Sequence, residues 1–539
     1  MLIRCYALSP HARLESSPER RLVCDAPLQS ALLGESEWAV LNALRPGVPI
    51  DGLLTGLTPE WTDFLDALEA RGFLSADYQA RAPRIWPSAE VIVPVFGNER
   101  GLARCLEALG GQTYPRKRLR VTVVDDASPT PLAGALAGRD CFGLTLRWLR
   151  SDRNLGPASA RNLAAGTPWN GGEAGGGETP SEVLAFVDSD CVPAPDWLAG
   201  LAAVLETPGI DTVGIDTVGI GTTGIDAVGG GVIPLDTSPL LGRYEGACSS
   251  LVLGDAPGAA GWLGHRISYL PSCNLAVGRE AFERVGGFRE GWRTGEDVDF
   301  SWRLAGQGLR MFYLPQAVVA HDFRVRWGAF LQRRRVYARS EARLRRHHPG
   351  RFKAPLRWSG RAMLGGVCGA LLTGSALWLT LSLAAWLIPA LRPILPGRHW
   401  KKAPGKAGGN IPAPWPLKTR LAASFRSLAA VLVHHGRNTA RQSMVLWLVL
   451  LSAWPELWPA TLSVFSLGAA GDWIARRPGL TPNPRQPRLT PPEFLAGYTG
   501  EILAYSLGRI EGMAQGMAQG MLARFRRGVR AAGRYLNKG

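Results

Sequence analysis

The chain has 539 residues, of which 46% are hydrophobic, so it can bury a large core and is not a disordered protein. Its 61 Lys and Arg against 44 Asp and Glu leave a net charge of +17, which indicates an acidic partner such as anionic lipid, nucleic acid or a phosphorylated ligand. The eight cysteines form no C-x-x-C pair and indicate reduced thiols. The start, MLIRCYALSPHARLE, lacks the apolar stretch of a signal peptide.

Residues 1–80 are predicted to form a small N-terminal domain. One helix is expected over 58–72, because a Thr-Pro pair can cap its start and a glycine can end it. A second, shorter helix is expected over 36–44. The stretch 77–87 contains two prolines and is predicted to be a linker.

Residues 88–325 alternate between strand and helix patterns. Short runs rich in β-branched residues, VIVPVF (91–96), VTVVDD (121–126) and LAFVDSD (184–190), predict buried strands, and an amphipathic helix is expected around 102–109. This rhythm predicts an α/β domain with a parallel sheet, in which ligands bind beyond the carboxyl ends of the strands.

Two stretches of this domain are predicted to be inserted loops. Residues 171–179 are rich in Gly and Glu, and residues 209–228 repeat a pentad as GIDTV, GIDTV, GIGTT and GIDAV. Four short copies are too few for a solenoid. We therefore interpret the repeat as an expanded loop ahead of a strand at 228–235, without a catalytic role for its aspartates.

The chain beyond this domain is first basic and then apolar. Residues 326–361 contain one acid, Glu341, among many arginines and predict a basic helix beside a membrane. The charge-free run 362–391 is longer than a core helix needs, and the whole of 362–480 is predicted to be membrane-associated. Basic residues flank the run on both sides, so a re-entrant hairpin and a single span both remain open.

The tail, residues 490–539, is predicted to be a basic amphipathic helix that lies on anionic lipid. Apolar residues recur along it at spacings of three and four, at Ile510, Met513, Met517, Met521 and Phe525. The glycines at every fourth position from 508 to 520 weaken its helical propensity. Together with the basic flanks, this tail predicts a protein on the cytoplasmic face of the cell membrane.

Aspartates follow the ends of two predicted strands. Asp188 and Asp190 are hard oxygen ligands that suit Mg²⁺ or Mn²⁺, although such residues also commonly cap turns. Asp125 and Asp126 have two interpretations: a turn with a helix cap, or carboxylates that accept hydrogen bonds from a base or ribose. Arg161 follows a Gly-Pro loop and either enters a helix or brings a cation to a diphosphate.

The motif GEDVD places three acids, Glu296, Asp297 and Asp299, ahead of a helical run. Crowded carboxylates raise one another's pKa, as a general base requires, whereas acids also favour a helix N-terminus through the dipole. Both interpretations can hold together. His321 is either a structural histidine or a metal ligand.

Taken in order, VIVPVFGNE, VVDDAS, NLGPxxARN, FVDSD, SCNLA and GEDVDxxxRL resemble the family 2 glycosyltransferases of GT-A fold, over residues 89–330. This resemblance implies an inverting enzyme with a nucleotide-sugar donor and a divalent cation, Mg²⁺ or Mn²⁺. Its implied residues fall into four groups: nucleotide contacts from Pro94, Glu99, Asp125 and Asp126; metal ligands Asp188 and Asp190; a catalytic base at Asp297; and an acceptor-orienting carboxylate at Glu296.

The chain departs from the family pattern at a few positions. Phe96 replaces a common tyrosine, and Gly97 is inserted before Asn98. Gln332-x-x-Arg335 is similar to the Q-x-x-R-W motif of processive synthases, but Val336 replaces the tryptophan. We therefore expect no processivity of that type.

A narrower resemblance covers the N-terminal unit and the transferase domain together. The N-terminal unit is similar to PqqD-like winged-helix peptide-binding domains, and its fusion to the transferase resembles the mycofactocin-system glycosyltransferases. This resemblance implies transfer of glucose from UDP-glucose to a peptide-derived redox cofactor precursor. Alternatives are a polyprenyl-phosphate or other lipid acceptor, and a peptide-binding adaptor with an inactive transferase domain. Nucleic-acid binding is the least favoured, because no recognition fold accompanies the arginines.

Overall fold

A computed structural model gives the fold of the chain. It describes residues 2–8, 12–16, 20–25, 28–43, 64–65, 68, 73–80, 85–136, 143–169, 180–205, 224–261, 267–351, 369, 373, 377–378, 437, 440–441, 444–449, 451–452, 455–476 and 487–536. For 519–536 and parts of the N-terminal strands, only the backbone is described. The chain divides into a first unit, Met1–Arg324 with Pro482–Pro487, and a second unit, Val325–Thr481 with Arg488–Gly539.

The first unit begins with two small antiparallel sheets. One pairs β1 (Leu2–Leu8) with β5 (Leu74–Ala80), and the other is β2 (Ala12–Glu15), β3 (Arg21–Asp25) and β4 (Leu28–Leu32). Helix α1 (Glu35–Ala43) confirms the helix expected at 36–44. The predicted linker was placed too early, because residues 77–80 still pair with β1. Most of the helix expected at 58–72 lies outside the described residues, and the winged-helix assignment stays a prediction.

The remaining strands form a nine-stranded mixed sheet. Its strands are β6 (Ala89–Val95), β7 (Leu119–Asp125), β8 (Thr145–Arg150), β9 (Val183–Val187), β10 (Cys191–Pro193), β11 (Ala227–Pro234), β12 (Gly258–Ala260), β13 (Asn274–Gly278) and β14 (Met311–His321). The order is β10-β14-β11-β13-β9-β6-β7-β8, with β12 beside β14. The α/β class and the predicted strands of this domain are confirmed.

Helices connect these strands and cover the sheet. They are α2 (Glu99–Gly110), α3 (Leu132–Ala135), α4 (Pro157–Gly166), α5 (Trp197–Leu205), α6 (Leu240–Cys248), α7 (Arg279–Arg284) and α8 (Glu296–Gly306). The amphipathic pattern expected at 102–109 is α2, whose apolar face is buried. Every residue of β6 and of β9 is buried, as expected of parallel strands covered on both faces. The predicted loops at 171–179 and 209–223 lie outside the described residues.

The second unit contains α9 (Trp327–His347), α10 (Trp458–Arg476) and α11 (Pro491–Leu536). Helix α9 confirms a helix in the basic segment, and α11 confirms one in the tail. None of the helices that the structure describes is both long and apolar enough to cross a bilayer. Most of the run 362–391 lies outside the described residues, so its membrane association stays a prediction.

Helices α9 and α11 pack closely within the second unit. A Cβ at Gly508 would lie 2.2 Å from the backbone oxygen of Arg335, and one at Gly512 would lie 3.1 Å from the Cα of Arg339. Glu511 of α11 accepts hydrogen bonds from both of these arginines. The tail glycines, which the sequence suggests only weaken a helix, therefore form a contact surface for another helix.

Candidate active site

Strand direction brings the candidate residues to one edge of the large sheet. Strands β6, β7, β8 and β9 are parallel, so their carboxyl ends lie together. Strand β14 is parallel to β11, and both β11 and β9 are antiparallel to β13, so β14 ends at the same edge. Asp125, Asp188, Asp190 and His321 therefore lie along this edge.

Asp125 ends β7 and is almost fully buried. Its carboxylate accepts hydrogen bonds from the Ser128 amide at 2.8 Å and the Leu132 amide at 3.2 Å, and it forms an ion pair with Arg150. Burial alone would raise the pKa of Asp125, but these hydrogen bonds outweigh burial and hold that pKa below its ordinary value. Asp125 therefore stays ionised and orders the loop after β7.

Asp126 holds a second loop. One of its oxygens accepts from the Leu155 amide and the other from the Gly156 amide, both at 2.8 Å. Gly156 has a φ of +89°, which a residue with a Cβ adopts only at a cost, and α4 begins immediately after it. Asp126 thus fixes the loop that leads into α4, and it lies at the edge of the sheet where the site is. Its contact with a nucleotide stays a prediction.

Arg161 lies on α4 with its side chain only 1% exposed. Its Nη2 donates to Asp188 Oδ1 at 2.5 Å, and its Nη1 donates to Glu296 Oε1 at 3.3 Å. A diphosphate contact, as predicted from the sequence, would require Arg161 to exchange at least one of these carboxylates for phosphate.

The three acids of GEDVD have different surroundings. Asp299 is fully buried and accepts from Arg289 at 3.3 Å and Arg303 at 2.8 Å, which makes it structural. Asp297 is half-buried beside Glu296. Burial and the negative charge of Glu296 raise the pKa of Asp297 to about 7, against opposing effects from the Val298 amide and Arg161. A carboxylate with such a pKa can accept a proton near neutral pH.

The residues around Asp190 fit a divalent cation. Strand β10 places Cys191 opposite His321, and His321 Nε2 lies 3.6 Å from Asp190 Oδ1. Ligand atoms of Asp190, Cys191 and His321 all lie within 4.8 Å of one another. Burial raises the pKa of the Cys191 thiol well above its ordinary value, so it is not a thiolate ligand for a hard cation. Asp188 and Asp190 are each about 30% exposed and can be reached from solvent.

Two predicted donor contacts lie on strand β6 and on the helix that follows it. Pro94 is buried within β6, and Glu99 is exposed at the start of α2. Between them, the Gly97 amide donates to the Ser128 hydroxyl at 2.9 Å, which ties the inserted glycine to the Asp125 loop. Roles for Pro94 and Glu99 in donor binding stay predictions.

Sequence reasoning missed two residues that shape the site. Arg150, at the end of β8, pairs with Asp125, and a cation at a strand end was the available signal. Asn274 is fully buried and joins the strands: its amide donates to Gly231 O at 2.8 Å and Ala317 O at 2.9 Å. It also accepts from the Trp197 indole at 2.7 Å. In the sequence, Asn274 stands out only as part of the SCNLA motif of the family pattern.

Comparison with known proteins decides the family. Residues 90–227 match the model for glycosyl transferase family 2, and residues 183–397 match that for glycosyl transferase family group 2. The chain belongs to glycosyltransferase family 2. The predicted family and the predicted likeness to mycofactocin-system enzymes are both confirmed.

Individual relatives of this glycosyltransferase are known. It is 33% identical over 352 residues to the pre-mycofactocin glycosyltransferase of Mycobacterium tuberculosis, strains CDC 1551 and H37Rv, a stretch that spans 64% of this chain and 66% of that protein. It is 29% identical over 125 residues to glycosyltransferase AglE of Haloferax volcanii, which covers 23% of this chain and 38% of AglE.

Solved structures include a mannosyltransferase, PcManGT from Pyrobaculum calidifontis, in complex with GDP-Man and Mn²⁺. The likeness covers 73% of this glycosyltransferase and 90% of PcManGT, with 20% identity and a TM-score of 0.36.

Proposed function

We propose that this glycosyltransferase transfers a hexose from a nucleotide donor to an acceptor hydroxyl, with inversion at the anomeric carbon. The observation that carries this proposal is the position of Asp297. It lies on α8 next to Glu296, and Arg161 links Glu296 to Asp188 of the D-x-D motif. A candidate base and candidate cation ligands thus belong to one cluster of side chains.

In this mechanism, the acceptor hydroxyl oxygen attacks the anomeric carbon of the donor while Asp297 removes the hydroxyl proton. The bond between the anomeric carbon and the nucleoside diphosphate breaks in the same step. A single displacement needs no carboxylate nucleophile, in contrast to retaining glycosidases. Asp188, Asp190 and His321 would hold a divalent cation, Mg²⁺ or Mn²⁺. When bound, that cation neutralises charge on the departing nucleoside diphosphate. Glu296 orients the acceptor.

For the substrates, we propose UDP-glucose as donor and a peptide-derived redox cofactor precursor as acceptor. The likeness to the pre-mycofactocin glycosyltransferase supports this choice. A lipid-phosphate acceptor is the alternative that the charge of the second unit favours, and an acceptor panel separates the two. The N-terminal domain would then bind the peptide portion.

The test is sugar transfer by the purified protein with Mn²⁺, using both acceptor classes. We expect Asp297→Asn to reduce kcat about 10³-fold or more while donor binding stays close to that of the wild type. The matched control is Glu283→Gln, an exposed carboxylate on α7, which should keep wild-type turnover. Near-normal transfer by Asp297→Asn, or wild-type turnover in excess chelator, would refute the mechanism.

We further propose that the second unit holds the enzyme on anionic lipid at the cytoplasmic face of the membrane. It carries 32 Lys and Arg against six Asp and Glu, which leaves the first unit with 29 against 38. Large apolar side chains are also exposed on it, at Trp458, Leu462 and Ile474 of α10 and at Met513 and Met517 of α11. Cationic charge beside exposed apolar area is the composition of an interfacial surface.

Vesicle co-sedimentation of the full chain tests this attachment. We expect binding to vesicles that contain phosphatidylglycerol at low salt, and weaker binding to neutral vesicles or at high salt. A protein that remains in the supernatant with anionic vesicles at low salt contradicts the proposal.

A further inference from the structure

Arg161 joins three elements of the active site. Its side chain comes from α4. Of its two carboxylate partners, Asp188 directly follows β9 and Glu296 is the first residue of α8. Asp188 and Glu296 belong to the donor and acceptor sides of the proposed site, respectively. Among the described residues, Arg161 is therefore a direct side-chain link between the two sides.

The burial of this guanidinium carries a free-energy cost. Burying an ion pair costs desolvation, and apolar residues of similar volume often stabilise a protein as well or better. The surroundings of Arg161 are partly apolar, since its guanidinium carbon lies 5.4 Å from the centroid of the Phe288 ring, and its Nε has no hydrogen-bond partner in the described part of the chain. A buried arginine kept at this cost points to a role in arranging its partners.

The charges around the link are mostly negative. Asp188 lies after β9, and Glu296, Asp297 and Asp299 lie on α8. Asp299 already has Arg289 and Arg303 as partners. For the other carboxylates, Arg161 supplies a compensating charge that does not depend on a bound cation.

We propose that Arg161 is a positioning residue that holds the metal-binding carboxylate Asp188 and the acceptor-side carboxylate Glu296 in one fixed arrangement. This inference rests on the proposed function. The planar fork of arginine donates to both carboxylates at once, and a lysine ammonium, which is a point charge, does not reproduce that geometry. A single buried side chain then fixes the distance between the carboxylate on the donor side and the carboxylate on the acceptor side.

A double-mutant cycle on kcat/KM tests the link. We expect Arg161→Met and Glu296→Gln each to lower kcat/KM, the former about 100-fold. The double variant should fall at most about threefold below the worse single variant, because both substitutions break the same contact. As the matched control, Arg150→Met should combine multiplicatively with Glu296→Gln, since Arg150 pairs with Asp125. Multiplicative effects of Arg161→Met and Glu296→Gln would overturn the proposal.

Arg161→Lys covers the case in which Arg161→Met does not fold, because it keeps the buried charge and loses the fork. We expect its melting temperature to stay close to the wild-type value while several-fold more Mn²⁺ is needed for half-maximal binding, measured by calorimetry with UDP present. Unchanged Mn²⁺ binding by Arg161→Lys overturns the proposal. Because this assay needs no transfer, a wild-type enzyme without transferase activity would refute the proposed function separately.

Discussion

His321 Nε2 lies 3.6 Å from Asp190 Oδ1, with the His321 ring stacked on Phe323 at 4.6 Å between centroids. The stacking holds the imidazole with one nitrogen toward the D-x-D motif. We predict that His321→Gln weakens Mn²⁺ activation by at least about 10- to 100-fold, the usual cost of losing a residue that only supports a metal ligand, while the fold is retained. The measurement is turnover against Mn²⁺ concentration. An unchanged Mn²⁺ dependence would assign His321 to a structural role.

The pKa of Asp297 predicts the pH dependence of transfer. Only the ionised carboxylate can take the acceptor proton, and burial with Glu296 raises its pKa to about 7. Therefore kcat/KM should fall about tenfold per pH unit below that value and level off above it. Glu296→Gln removes the neighbouring negative charge and should move this acidic limb to lower pH. A limb that stays in place in Glu296→Gln would contradict the assignment of Asp297 as the base.

Asp297 also predicts a trade-off between activity and stability. Its folded-state pKa lies above the ordinary value of 3.8, so ionisation opposes folding progressively as pH rises from about 4 through 7. Asp297→Asn removes this cost and should raise the melting temperature by about 2–4 °C at mildly alkaline pH, with little change under acidic conditions. Thermal unfolding of both proteins across pH is the check, and a destabilised Asp297→Asn at alkaline pH would contradict it.

The hydrogen bonds of Asp126 predict a donor-binding phenotype. Asn has one acceptor oxygen, so Asp126→Asn can keep only one of the amides of Leu155 and Gly156 in its present arrangement. The loosened loop should raise the KM for donor about tenfold with a smaller effect on kcat. The exposed neighbour Asp152 supplies the control, Asp152→Asn, which should match the wild type. An equal effect of both substitutions would show that general charge, not the loop, is responsible.

The glycines of α11 predict unequal effects of alanine. At Gly508 the new Cβ would lie 2.2 Å from a backbone oxygen, whereas at Gly516 the nearest atom, at 3.2 Å, is the end of the Arg346 side chain. Gly508→Ala should destabilise the second unit by about 1–3 kcal/mol. Gly516→Ala should be neutral or gain up to about 1 kcal/mol of helix propensity. The measurement is the denaturant concentration at which α11 becomes susceptible to protease in each variant. Equal values for Gly508→Ala and Gly516→Ala would contradict the close contact at Gly508.

Local sequence patterns were sufficient to predict the strands of the large sheet and the edge of that sheet at which the site lies. The buried runs that become β6 and β9 are short, apolar and rich in β-branched residues, and aspartates that follow parallel strands must meet at one edge. The role of Arg161 was not predictable in this way, since its partner Glu296 lies 135 residues away. The structural role of Asp299 was only partly predictable: Arg303, four residues further along α8, was an available signal, whereas Arg289 reaches Asp299 from the turn before that helix.

The stereochemistry of the product tests the central claim most directly. The purified glycosyltransferase would be given UDP-glucose, whose sugar is α-linked, with Mn²⁺ and the peptide-derived acceptor, and the new glycosidic bond examined by NMR. We predict a β-linked product that forms with the wild type and is lost in Asp297→Asn. An α-linked product, or an equal yield of product from Asp297→Asn, would contradict single displacement with Asp297 as the base.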